Sequence, residues 1–170
     1  SPDTRAIHTL GVISDTHGNV TDTQQAARTF AALEVDEIVH CGDIGSTDIP
    51  LLLDGSPTHY VFGNVDGLSE QLLSAIETAG GFVHGRFGEI RTAERRIAFL
   101  HGDDFSRLNT EISRGVWDLV CHGHTHQANQ YVEGRTLVLN PGALHRAPAP
   151  TIAVVALDSM EATIVPLFGD

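Results

Sequence analysis

Residues 6–14 are almost all apolar, on both sides of an extended backbone. That is the pattern of a strand covered on both faces in an α/β sheet. The run stops at Asp15-Thr16-His17-Gly18-Asn19. Thr21 to Gln24 then has the form of a capping box, and Ala26, Ala27, Phe30, Ala31 and Leu33 recur at helical spacing. The alternation repeats. A strand over 37–41 ends at Gly42-Asp43 and leads to a helix over 47–53. A strand over 58–62 ends at Gly63-Asn64-Val65-Asp66 and leads to a helix over 69–79. That helix turns Leu72, Leu73 and Ile76 inward, with Gly80 where a left-handed cap belongs.

The second half changes period. Residues 82–99 are Gly-punctuated and β-like, with Arg95-Arg96 at a turn. A strand over 97–100 stops at His101-Gly102-Asp103, and a helix spans 105–114. A strand over 118–121 runs into His122-Gly123-His124-Thr125-His126. Two further β segments, 127–132 and 136–139, join at Glu133-Gly134. Asn140-Pro141-Gly142 breaks the chain, and 151–157 with 162–167 form a closing hairpin around Asp158-Ser159. A βαβαβα half followed by a β-rich half predicts a layered α/β sandwich.

Composition narrows the picture. The chain has 170 residues, 41% of them hydrophobic and 19% charged, which fits one globular domain over 1–170. Its net charge is −12, and its ten basic residues are all Arg without clustering, which argues against double-stranded nucleic acid as a partner. No apolar run approaches the ~20 residues that span a bilayer. Two cysteines, Cys41 and Cys121, make no disulfide framework and suggest a reducing compartment; with no basic leader in view, a cytoplasmic protein is expected. The sequence leaves a homo-oligomer open.

The chemistry sits where the strands end. His124 and His126 are two apart, so on extended backbone they point the same way. Asp15 and His17, Asp43, Asn64 and His101 stand at the ends of four other strands, each beside a glycine. Ligands in open α/β sheets bind at the carboxyl ends of strands, so these groups are expected to converge. Seven such groups are too many for one tetrahedral zinc and suit two metals about 3.5–4 Å apart. Asp43, alone at its strand end, is the natural bridge. Nitrogen and oxygen ligation without thiolate fits Mn, Fe or Zn.

In this order the residues have a recognisable signature. Asp15-x-His17, Gly42-Asp43, Gly63-Asn64-x-Asp66, His101-Gly102 and Gly123-His124-Thr125-His126 resemble the five motifs of the calcineurin-like metallophosphoesterases. The short length resembles their small bacterial and archaeal phosphodiesterase branch, to which the retromer scaffold subunit is related in fold. Asn140-Pro141-Gly142 extends the likeness over nearly the whole chain. The resemblance implies a four-layer α/β/β/α sandwich. It implies a first metal on Asp15, His17, Asp43 and His126, and a second on Asp43, Asn64, His101 and His124. It implies hydrolysis of a small or nucleotide-like phosphodiester by a hydroxide bridging two divalent ions, Mn first, with Zn, Fe, Ni or Co as alternatives. A phosphomonoesterase or a non-catalytic scaffold of the same fold are the competing readings.

Three departures from the family pattern bear on mechanism. Val65 stands where many relatives carry a His able to protonate the leaving oxygen, so good leaving groups are expected to be favoured. Asp103 stands where many continue with another His. Ala143 replaces a Ser, so one phosphate hydrogen bond is expected to be missing, and Arg146 becomes a candidate phosphate contact. Asp66, Asn64 and His101 are the expected catalytic group; Asp66 would orient an imidazole or the attacking water, and Asn64 and Arg146 would bind substrate. His8, His40, His59, His84 and His145 fit no motif and read as structural or surface. His122 reads as lying beside the site, and Cys41 and Cys121 as small core hydrophobes. Asp103 and Asp104 read as solvated or capping, and Arg86, Arg91, Arg95 and Arg96 as a solvated face.

Overall fold

Two β-sheets lie face to face, with helices on both outer surfaces. The computed structural model describes residues 7–67, 69–92 and 94–168. The chain runs β1 (Thr9–Ile13), α1 (Val20–Ala32), β2 (Glu37–His40), α2 (Asp48–Leu52), β3 (Thr58–Tyr60), α3 (Glu70–Thr78) and β4 (Phe82–Val83). It continues through β5 (Phe87–Arg91), β6 (Arg96–Leu100), α4 (Phe105–Ser113), β7 (Leu119–Cys121), β8 (Asn129–Glu133), β9 (Thr136–Asn140), β10 (Thr151–Ala156) and β11 (Glu161–Pro166). The first sheet has the order β11-β10-β1-β2-β3-β4 and the second β5-β6-β7-β9-β8. Strands β1 to β4 are mutually parallel, as are β6, β7 and β9.

Alternation along each strand explains the layering. In β1, Leu10 and Val12 face the second sheet, and Ile13 faces the helices. The inter-sheet core joins Leu10, Val12, Val39, Val61 and Val155 to Ile97, Phe99, Leu119 and Leu139. Outside the first sheet, Phe30 of α1, Ile49 of α2, and Leu72 and Ile76 of α3 cover Ile13, Ile38 and Tyr60. Outside the second, Leu108 and Ile112 of α4 and Trp117 cover Ala98, Leu100, Val120 and Val138. Each of these fully buried side chains contributes on the order of 1.5–3 kcal/mol. The result is the expected four-layer α/β/β/α sandwich. The central strands β1, β2, β6, β7 and β9 are buried on both faces, which is why most of them read as apolar runs rather than as alternating ones.

Some local expectations are corrected. Helix α1 begins at Val20 and is capped by Asn19, not by Thr21. The Asn19 side chain accepts the Asp22 N–H at 3.0 Å and donates to the Asp22 carboxylate at 3.0 Å, so a reciprocal cap forms as soon as the chain leaves the first loop. Arg96 opens β6 instead of lying in the turn, and its guanidinium stacks 4.8 Å from the Trp117 ring. Arg95 donates to the carbonyls of Leu157 and Asp158 at 2.8 and 2.7 Å. Arg86 ties the Phe62 carbonyl to the Asp103 carboxylate. These three arginines anchor loops; only Arg91, paired with Glu89, stays on an exposed face as expected. Asp104 is the N-cap of α4. Ala6 and Ala93, within two of the expected strands, lie outside the described residues.

Candidate metal centre

The parallel strands of both sheets release their loops at one end of the sandwich. Backbone bonds fasten those loops to each other. Asp15 N–H donates to Gly42 O at 3.0 Å, His17 N–H to Asp43 O at 2.9 Å, and Gly123 N–H to His101 O at 2.9 Å. Asp15 Oδ2 links the loops of the two sheets, accepting the His124 N–H at 3.0 Å beside the Ser14 hydroxyl at 2.7 Å.

Two clusters of ligand atoms result. Asp15, His17 and His126 form one, and Asp43, His101 and His124 the other, each with its atoms within 4.8 Å of one another. Asp43 Oδ2 stands between them, 3.2 Å from His17 Nε2 and 3.1 Å from His101 Nε2. Asp15 Oδ1 lies 3.3 Å from His126 Nε2 and 3.7 Å from His17 Nε2. The donor set fits divalent cations on two observations. Asp15 Oδ1 and His17 Nε2 are buried and lack any hydrogen-bond partner, a costly state for polar atoms that a cation relieves. His101 gives its Nδ1–H to the Cys41 carbonyl at 2.8 Å, so the neutral imidazole carries its lone pair on Nε2. That Nε2 lies 3.3 Å from His124 Nδ1, two nitrogens facing one point.

The backbone is strained at the candidate ligands. Of the eight described non-glycine residues with positive φ, five are Asp15, His17, Asp43, His124 and His126, at 45–72°. Such conformations cost of order 1–3 kcal/mol each and persist where surrounding contacts over-determine them. Two glycines permit the close approach. A Cβ at Gly63 would overlap the Asp43 carboxylate, and one at Gly123 would overlap Ser14 Oγ and crowd the Asp15 carboxylate.

Charge states follow from the packing. Burial alone would raise the Asp43 carboxyl. Hydrogen bonds from His101 and the Val65 N–H, with the neighbouring imidazoles, instead hold it down at about 2. Burial opposes charge on His101, but the Asp43 and Asp15 carboxylates shift it upward overall. The site is therefore two carboxylates among imidazoles, electronegative until cations arrive.

Other expected residues take different places. The Asp66 carboxylate does not face the clusters. It is taken up by backbone N–H groups of Asp43 (2.8 Å), Ile44 (3.0 Å), Gly45 (3.2 Å) and Gly63 (3.0 Å). Four converging donors make it a clamp on the Asp43 loop. Asn64 is exposed on the rim, and its neighbour Val65 donates its N–H to Asp43 Oδ1 at 3.1 Å. Arg146 is exposed, with φ +51°. Ala143 is buried at 1% exposure, so the side chain at that position sits beneath the loop. His122 rests against the Gly123 carbonyl, outside both clusters.

Three residues support the site in ways that the sequence did not specify. His40 is fully buried, and burial pushes it down to about 3. Its Nδ1 accepts the Gly42 N–H at 3.0 Å and its Nε2 meets the Thr16 hydroxyl at 3.0 Å, which itself donates to Ile44 O. A neutral His40 with its proton on Nε2 thus cross-links the Asp15 and Asp43 loops. Asn140 donates to Gly123 O at 3.2 Å and to Thr125 Oγ1 at 3.0 Å, holding the His124 loop. His145 stacks on His17 with ring centroids 4.2 Å apart. The one signal for His40 was its place two residues before Gly42; for His145 and Asn140 it was the Asn-Pro-Gly break.

Paired carboxylate–imidazole clusters at the strand ends of this sandwich mark a metal-dependent phosphoesterase. The chain belongs to the calcineurin-like phosphoesterase superfamily, whose domain it matches over residues 9–160. It is 27% identical over 160 residues to a phosphodiesterase of Methanocaldococcus jannaschii, covering 89% of this chain and 95% of that protein. It is 30% identical over 164 residues to a probable metallophosphoesterase of Bacillus subtilis, covering 90% and 86%. Among solved structures, an archaeal phosphodiesterase superposes with a TM-score of 0.86 at 24% identity, covering 93% of this chain and 99% of that one.

Proposed function

We propose that the chain is a binuclear phosphodiesterase acting on a small or nucleotide-like phosphodiester, and that its 170 residues work as one such domain. The observation that carries this reading is Asp43 Oδ2, placed 3.2 and 3.1 Å from imidazole nitrogens of the two clusters. One carboxylate oxygen so shared suits two cations better than one. Asp15, His17, Asp43 and His126 would hold the first ion, and Asp43, Asn64, His101 and His124 the second. When bound, the ions supply Lewis acidity toward a phosphoryl oxygen and a water acidic enough to attack at neutral pH.

The chain's own residues do the rest. His101 is held in the ligating tautomer by Cys41 O, and Asp15 is oriented by Ser14 and the His124 N–H. Two carboxylates against two dications leave a net positive site on an acidic protein, which favours a phosphodiester anion. Asn64 and Arg146 are exposed and would be the side chains that bind the phosphoryl group. Val65, 51% exposed on the rim, offers no proton, which favours esters whose leaving group departs as an anion and diesters over monoesters. Mixed nitrogen and oxygen ligation favours Mn, then Zn, Fe, Ni or Co. Two free, buried cysteines support a reducing, cytoplasmic setting; among the described residues no helix is long and apolar enough to cross a membrane.

The test is hydrolysis of a chromogenic phosphodiester and its monoester by purified protein with Mn, Ni, Co or Zn, then with chelator. Turnover restored by metal, faster on the diester, is expected. No turnover with any of the four, at full metal content, leaves a binding scaffold of the same fold.

A further inference from the structure

Beyond the ligands, one side chain enters the mouth of the site from a loop that neither cluster uses. Pro141 to Leu144 are buried, and Thr151 Oγ1 donates to Pro141 O at 2.7 Å. The N–H groups of Leu144 and His145 both donate to the carbonyl of Asp15, at 3.3 and 3.0 Å. The loop is therefore bolted to the backbone of a metal ligand. His145 is its first side chain to emerge, half-buried. Its ring lies parallel to that of His17, at 4.2 Å and 19°, and edge-on to His126 at 6.1 Å. Arg146, next in the chain, is exposed and held at φ +51°, so it shares the left-handed backbone that five of the ligand residues adopt.

An imidazole in this place has two ring nitrogens, and neither hydrogen-bonds a described residue. It borders His17 and His126, where a phosphoryl group bound at the first cluster would sit. We infer that His145 is a substrate-binding residue, hydrogen-bonding a phosphoryl oxygen from the His17–His126 side of the site. This rests on the phosphodiesterase reading for its substrate, though not for the contact itself.

A residue that only packs on His17 and one that binds phosphate differ in one substitution. His145→Phe keeps an aromatic ring for the stack and removes both nitrogens. The probe is inorganic phosphate, titrated calorimetrically into the manganese-loaded protein, with metal content measured on the same samples. His145→Phe is expected to retain its manganese and to bind phosphate about tenfold more weakly. His145→Gln, which keeps an N–H donor, is expected to recover part of that affinity. With the diester as substrate, KM should rise more than kcat falls. Phosphate affinity within about twofold of the parent, or loss of manganese in His145→Phe, overturns the inference, the second because it makes His145 a support for His17. Lack of diester turnover in the parent, with phosphate binding still sensitive to His145→Phe, overturns only the phosphodiesterase reading.

Discussion

The carboxylate of Asp66 accepts the backbone N–H of Asp43 at 2.8 Å, so the carboxylate shared by the two clusters stands on a loop that another carboxylate holds. Asp66 also gathers the N–H groups of Ile44, Gly45 and Gly63, which fixes the direction in which Asp43 points. Removing it frees four donors at once. Asp66→Ala is expected to cost roughly 2–4 kcal/mol of stability and to lower metal occupancy together with activity. Denaturant midpoints and metal analysis check this. Full metal content with only slowed turnover would return Asp66 to a role on the attacking water.

Asp43→Ala removes the shared oxygen between His17 and His101. Both metals are expected to be lost, with turnover falling at least 10³-fold, on the scale of removing a principal source of charge stabilisation. Quantitative metal analysis decides it: one full equivalent retained would mean that Asp43 serves a single cluster.

Gly123→Ala forces a Cβ against Ser14 Oγ and the Asp15 carboxylate. The sheets are fully packed without that loop, so the circular dichroism spectrum should stay native. Affinity for the first metal should fall at least tenfold as Asp15 shifts, which a metal titration followed by calorimetry would reveal.

Glu111, buried on α4, accepts from Arg107, Arg114 and the Trp117 indole at 2.8, 2.8 and 3.0 Å. Burial would raise its carboxyl, but those bonds, led by Arg114, depress it below the ordinary 4.5. A depressed carboxylate stabilises the fold above its unfolded value and loses that contribution as pH falls through the folded one. Stability should therefore decline below about pH 4.5 more steeply in the parent than in Glu111→Gln. Urea denaturation across that range gives the comparison; parallel acid limbs would show that Glu111 contributes nothing through its charge.

Much of the fold was legible because the central strands of both sheets are buried on both faces. Runs such as Leu10 to Ile13 and Leu119 to Cys121 cannot be anything exposed, and each stops at a glycine beside an Asp or His. Local chemistry misled where two caps competed: Asn19 with Asp22 defeated Thr21 with Gln24 because it sits at the loop exit. Arg86, Arg95 and Arg96 read as solvated because their partners are carbonyls, a carboxylate and an indole up to 63 residues away.

The sequence by itself determined the candidate ligand types and their place at strand ends, since spacing and residue chemistry are local. Only the tertiary structure decided which carboxylate lies between the two clusters and which is consumed by backbone donors. Asp43 and Asp66 are both acidic residues just past a strand and look alike along the chain. The difference lies in the crossing of the Gly42 and Gly63 loops, which aims four N–H groups at Asp66 and two imidazoles at Asp43. His40 and His145 were set apart in the same way. One is sealed between two loops and one is laid over His17, by contacts spanning 24 and 128 residues that no local pattern encodes.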